Sequence, residues 1–353
     1  MQKEIQIGIN EIVQISYGTL LNRPSISYFA QICDVPEAVK KGDLFVATNK
    51  NSAKDDIELA IKNGAFGILF SGDIAMSDME VAWIGVEDLE QALVRILRYF
   101  LLANNKILFL LQKEEYEIAT QIIEQKKSLS MFCGSIVGLI SHILSTKCGY
   151  ILYCNRDLDL KILPKDQQQI KLYSLEKIEE NELPFTMLSY SLFTIKIFYK
   201  NAEFTLPIPK LFVQQLARVL RFCADYSFSV NLENLSGISQ FKPLYLDEKG
   251  VIAKSGTTNR VILACENPQL YGQLLAYFTL YAKWAKLMLF VPHKFRDIYK
   301  SYETRSFRDR DELFNELLAQ RYNFAIILGI STAALEEHFS CNVAEVDLFT
   351  FAE

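Results

Sequence analysis

The sequence has only three histidines, no Cys-x-x-Cys pair and no apolar run of membrane-spanning length. Each absence excludes a class of function. His142, His293 and His338 are too few and too scattered for a Ser/His/Asp set, and no nucleophile-elbow pattern accompanies them. The cysteines Cys33, Cys133, Cys148, Cys154, Cys223, Cys265 and Cys341 are odd in number and lack metal-ligand spacing. They read as small buried hydrophobes in a reducing compartment. Basic residues are in deficit too: 37 against 42 acidic side chains leaves a net charge of −5, so nucleic acid is not an expected partner. The apolar stretch at Ile107–Leu111 falls far short of the ~18 residues a bilayer span needs. The first residues alternate apolar and polar and lack the continuous apolar run of a signal peptide. A cytoplasmic protein is expected, with no membrane span.

What is present is ordinary globular material, 50% hydrophobic and 22% charged, and 353 residues suggest two or three domains. From Lys41 a β-α-β unit is legible. KGDLFVAT is a turn and strand, DDIELAIK a helix, Gly64 a left-handed cap, and Phe66–Phe70 a buried strand. EVAWIGV adds a strand, and a helix follows with Leu89, Leu93, Ile96, Leu97 and Phe100 as its core stripe. The first domain should end near Asn104. KILFLL opens a second, followed by the helix QKEEYEIATQIIEQKK, whose first turn is acidic where the dipole favours it. Gly134–Gly138 reads as part of an apolar helix-like segment. SLFTIKIFYKNAEFTLPIP is a hairpin turning at Lys200-Asn201, and a helix closes this domain near Leu235. The last third alternates RVILAC, a helix from Asn267, KLMLFVP, RDELFNELLAQRY and NFAIILG. Strands alternating with helices of this length predict mostly parallel sheets flanked by helices.

This order of elements resembles the Mur ligases, ATP-dependent amide ligases of cell-wall synthesis, and most closely the branch that adds D-alanyl-D-alanine. KGDLFVA (Lys41–Ala47) is similar to the family's Pro-Gly-Asp-Leu-Phe-Val-Ala signature, with Lys41 in place of proline. DDIELAIKNGAFGILFS, IGVEDLEQAL and LPIPKLFVQQLARVLRF match further blocks in order and spacing. Leu328-Gly329-Ile330-Ser331 stands at the family's Lys-Gly-Ser-Arg loop. The resemblance implies an α/β, three-domain Mur-ligase-like architecture: a UDP-sugar-binding type domain over 1–104, a shortened ATPase-like domain over 105–235 and a C-terminal α/β domain over 236–353.

The resemblance also implies an ATP site, and the residues for it are missing. A Gly-rich loop ending in Gly-Lys-Ser/Thr should follow the strand that opens the middle domain. Instead KILFLL runs into Gln112-Lys113-Glu114-Glu115-Tyr116, with no glycine and two carboxylates expected to point where phosphate would lie. Lys113 reads as a solvated helix-start residue. For the magnesium-holding Glu and His only Asp157 and Asp159 are near, and His142 reads as a core histidine. Where the family contacts nucleotide through Asp-Ser-Tyr-Asn-Ala-Asn, this chain keeps Glu266-Asn267-Pro268. Gln112, Lys113, Glu114 and Asn267 therefore mark a degenerate ATP site. Lys254–Asn259 contains Gly-Thr-Thr but precedes its strand, as a tight turn would.

Three functions compete: a non-catalytic homologue that binds a cell-wall synthesis protein or a UDP-muramoyl precursor, with no cofactor; a divergent ligase still using ATP and magnesium; and a structural scaffold. By position, Asp34, Lys41, Asp43 and Thr48 are the candidate ligand-binding residues, against the simpler reading of a turn with polar surface residues. Tyr277 and Tyr281, one helical turn apart, are candidates for a docking face.

Overall fold

A computed structural model describes residues 6–49, 53–124, 127–154, 169–172 and 177–347. They fall in two compact units, the first within 1–116 and 124–176, the second within 117–123 and 177–353. The architecture is α/β, with mostly parallel sheets flanked by helices.

In the first unit the alternating N-terminal pattern belongs to a helix, Ile9–Ser16, which buries Ile9 and Ile12. Its start is closed by the Gly8 amide donating to Glu11 Oε2 at 3.1 Å. The strand Leu44–Val46 and the helix Ala53–Lys62 follow, and the chain turns at Gly64 with φ +101°. A Cβ at Gly64 would lie 3.0 Å from Lys41 Cα, so the left-handed backbone and the close approach both require glycine. Strands Gly67–Ser71 and Ala82–Val86 lead to helix Leu89–Ala103, capped by the Asp88 carboxylate, which accepts from the Gln91 amide at 3.1 Å. Leu93, Ile96, Leu97 and Phe100 are buried along it as the periodicity requires. The sheet order is Thr19–Leu20, Ala82–Val86, Gly67–Ser71, Leu44–Val46, Ile32–Cys33, with only the first pairing antiparallel.

The same unit holds a second, wholly parallel sheet in the order Ile170–Leu172, Ile107–Leu110, Tyr150–Cys154, Leu129–Cys133. Its helix Ile136–Ser145 packs on Leu89–Ala103, and one apolar cluster runs from Ile7 to Ile170. Lys106 is buried at the entrance to this sheet. Its Nζ donates to the carbonyls of Thr146 and Cys148, which lie just past the helix end, and burial lowers its pKa.

The second unit contains an antiparallel sheet of Thr186–Tyr190, Ile195–Tyr199 and Ala202–Leu206. Lys200 and Asn201 both have positive φ, 45° and 68°, as a two-residue hairpin turn of matching twist demands. The helix Val213–Asp225 follows. The last sheet has the order Leu244–Leu246, Arg260–Cys265, Phe324–Leu328, Leu287–Pro292, Thr304–Phe307, again with only the first pairing antiparallel. Helices Pro268–Tyr281, Arg310–Ala319 and Thr332–Asp347 accompany it. The Gly-Thr-Thr segment is a turn, with Gly256 at φ 82° and the Thr257 amide donating to the Lys254 carbonyl.

Tyr277 is not part of a docking face. It is buried, and its hydroxyl donates to the carbonyls of Ser191 and Leu192 at 3.3 Å each, tying the helix to the hairpin before Ile195. Tyr281 stacks beside it, edge-on to Tyr190. Among the described residues no helix is long and apolar enough to cross a membrane.

Candidate functional site

In open parallel sheets ligands bind beyond the carboxyl ends of the strands, so those edges are where the site residues must be sought. At the edge of the four-stranded sheet, strand Ile107–Leu110 passes through Leu111 and Gln112 directly into helix Lys113–Ile122. The Leu111 amide donates to the Tyr153 carbonyl at 3.0 Å, which keeps the chain in the sheet up to the helix start.

The helix start itself is closed. Glu115 is wholly buried, and its Oε2 accepts from the Gln112 amide at 3.0 Å. This is the reciprocal half of a capping box, made by a carboxylate three residues into the helix. The expectation that both acids face outward is corrected here: Glu115 turns back on its own backbone because that amide otherwise lacks an acceptor. Glu114 and Lys113 are partly exposed and Gln112 is exposed. Next to them the Tyr116 hydroxyl is pushed up to about 12 by burial, with the thiols of Cys133 and Cys154 adding to the effect.

A second correction concerns Gly134–Gly138. Strand Leu129–Cys133 ends before it, Gly134 makes the turn, and Ser135 caps helix Ile136–Ser145 by accepting from the Gly138 amide at 3.0 Å. The segment is thus a strand-to-helix turn and only its later part is helical. The Ser135 hydroxyl occupies the Gly138 amide, and the Tyr153 hydroxyl donates to the Gly134 carbonyl at 2.9 Å. His142 lies on the inner part of this helix, stacked on Phe132, with its ring nitrogen Nε2 buried and without a hydrogen-bond partner. Burial lowers its pKa. It is a packed histidine.

In the second unit, Asn267 follows strand Arg260–Cys265 and caps helix Pro268–Tyr281 by accepting from the Gln269 amide at 2.8 Å. Across the edge, the Gly329 amide donates to the Cys265 carbonyl at 2.8 Å, and Ser331 Oγ accepts from Ala334. Asn267 and Ser331 thus use their side-chain oxygens on helix caps. Asp157 and Asp159 lie outside the described residues, and among those described no three His, Cys, Asp or Glu groups are placed to hold a metal ion.

The four first-domain candidates separate into two pairs. Register pairs Ile32 with Leu44 and Cys33 with Phe45, so Asp34 and Thr48 lie past the carboxyl ends of adjacent strands, while Lys41 and Asp43 precede the amino end. Asp43 is buried, and its Oδ2 accepts from the Lys40 amide at 2.9 Å, holding the turn into the strand. Burial raises its pKa. Thr48 is exposed and Asp34 partly so. Lys41 borders a cleft of about 420 Å³ with Ser25, Asn63, Phe66, Asp78 and Glu80, at the amino edge of the sheet.

No family model and no curated protein matches the sequence. Solved structures do match its fold. A UDP-N-acetylmuramoylalanyl-D-glutamyl-2,6-diaminopimelate–D-alanyl-D-alanyl ligase from Acinetobacter baumannii superposes with TM-score 0.56 at 13% identity, over 98% of this chain and 100% of that one. A MurF structure from the same organism gives 0.58 at 12% identity, over 97% and 99%. MurF ligase from Thermotoga maritima, solved with ADP, gives 0.56 at 12% identity, over 90% and 98%. At such identities the likeness is one of fold, and the fold of this chain is that of a Mur ligase.

Proposed function

We propose that this chain is a non-catalytic Mur-ligase-like protein acting in or near peptidoglycan precursor synthesis, in the cytoplasm, by binding a partner protein or a UDP-linked precursor. Its three-domain plan would follow the boundaries 1–104, 105–235 and 236–353. One observation carries the reading: the amide of Gln112, at the helix start that should face triphosphate, is taken by the buried carboxylate of Glu115. A helix N-terminus attracts anions through free amides and a positive dipole end. Here a buried side-chain acceptor already occupies that amide, so a phosphate would have to displace the cap to reach it.

Support also comes from the loops of the last sheet, where Asn267 and Ser331 spend their side chains on helix caps. Asp34 and Thr48, at the carboxyl edge of the first sheet, are the residues through which a UDP-linked precursor would be held. The reading is tested by following phosphate release across a panel of UDP-muramoyl peptide acceptors with ATP and magnesium. No acceptor-dependent release is expected. Turnover with any acceptor would favour the alternative, a divergent amide ligase adding a dipeptide.

A further inference from the structure

Strands Leu129–Cys133 and Tyr150–Cys154 both end in cysteine, and the register makes those two residues direct partners. Adjacent strands run about 4.8 Å apart, inside the Cα separation of about 4.4–6.8 Å that a disulfide accepts. Directly paired residues of parallel strands project to the same side of the sheet, so the two thiols share one face. The preceding pair fixes this alternation. Phe132 and Tyr153 stack at 6.1 Å and 14° on the opposite face, where His142 also packs on Phe132. The face that carries the cysteines is the one toward Tyr116, whose hydroxyl feels both thiols.

The two sulfurs differ in access. Cys133 is exposed on the edge strand, whereas Cys154, one strand inward, is 3% exposed. An accessible thiol beside a sheltered one is the arrangement of an attacking and a resolving cysteine. Its position has a consequence for the sheet: a link there would join the carboxyl ends of two strands beside the Glu115-capped helix start.

We propose that Cys133 and Cys154 form a reversible dithiol–disulfide site that reacts with hydrogen peroxide. The Cys133 thiolate sulfur attacks one peroxide oxygen, the O–O bond breaks, and one water leaves once protonated, giving a sulfenic acid at Cys133. The Cys154 sulfur then attacks the Cys133 sulfur, the S–S bond forms, the S–O bond breaks, and a second water leaves. Two thiols lose two electrons and two hydrogens while the peroxide is reduced to two waters. A dithiol reductant reverses the change by exchange.

The test is titration of the full chain with hydrogen peroxide, followed by unfolding, alkylation and peptide mapping by mass spectrometry. Expected is a linked pair of peptides carrying Cys133 and Cys154, loss of alkylation at both, and recovery of both thiols with dithiothreitol. In C154S, Cys133 should stop as a sulfenic acid that dimedone traps. In C133S, an exposed and structurally mild change, Cys154 should stay reduced at the same dose. The proposal is overturned if Cys154 remains alkylatable in the oxidised wild-type chain, or if Cys133 is recovered linked to another cysteine. Oxidation of Cys154 at an unchanged rate in C133S would also overturn it, because the attack would then not begin at Cys133.

Discussion

The amide of Gln112 and the carboxylate of Glu115 are hydrogen-bonded at 3.0 Å, with the acid wholly buried at the head of its own helix. A Mur-type nucleotide site needs that helix head open and rich in amides. This chain instead completes the helix with an internal acceptor.

Removing that acceptor should therefore cost stability without restoring a nucleotide site. E115A is expected to lower unfolding free energy by about 1–2 kcal/mol, the range for a lost cap and an unsatisfied amide. E115Q should cost less, because its amide oxygen still accepts. Urea unfolding midpoints at constant slope measure both.

Lys106 should matter more than its position at a strand entrance suggests. Its Nζ serves the carbonyls of Thr146 and Cys148. K106M keeps the apolar stem but leaves these acceptors unsatisfied, at an expected cost of about 1–3 kcal/mol. An equal midpoint for K106M and wild type would show that water replaces the ammonium.

His142 gives a pH dependence of defined sign. Burial lowers its pKa below the ordinary 6.5, so the folded state binds fewer protons than the unfolded state as pH falls through that value. Its contribution is fully present above about pH 7 and is lost toward the folded pKa, at up to about 1.4 kcal/mol per pH unit. H142F, which preserves the stack on Phe132, should flatten this part of the stability–pH curve.

The hairpin turn offers a gain. Asn201 holds φ 68° and Lys200 φ 45°, conformations that a glycine at the second position adopts without strain. N201G is expected to raise the melting temperature only slightly, because relief of the positive φ is partly offset by the greater freedom of glycine in the unfolded chain. A decrease would mean that the Asn201 side chain makes a contact worth more than the turn.

Much of the fold was legible because local signals agreed. Gly64 and Lys200-Asn201 each mark a cap or turn that the periodic apolar residues on either side require. Less visible were the strands Thr186–Tyr190 and Thr304–Phe307, since exposed edge strands carry a weak apolar pattern. The lack of glycine after KILFLL was readable, but the inward turn of Glu115 was not. Sequence marks a carboxylate in a first turn, and only the backbone shows which amide it serves. Asp34, Lys41, Asp43 and Thr48 formed one cluster along the chain, yet strand direction sets Lys41 and Asp43 at one end of the sheet and Asp34 and Thr48 at the other. The pairing of Cys133 with Cys154 was hidden for a similar reason: parallel register joins residues twenty-one positions apart with no local motif.

Isothermal titration of the full chain with ATP and magnesium tests the central claim most directly. Titrant heats indistinguishable from dilution are expected, for wild type and for E115A alike. Saturable binding in the micromolar range would contradict it, because the capped helix head would then be no barrier to triphosphate.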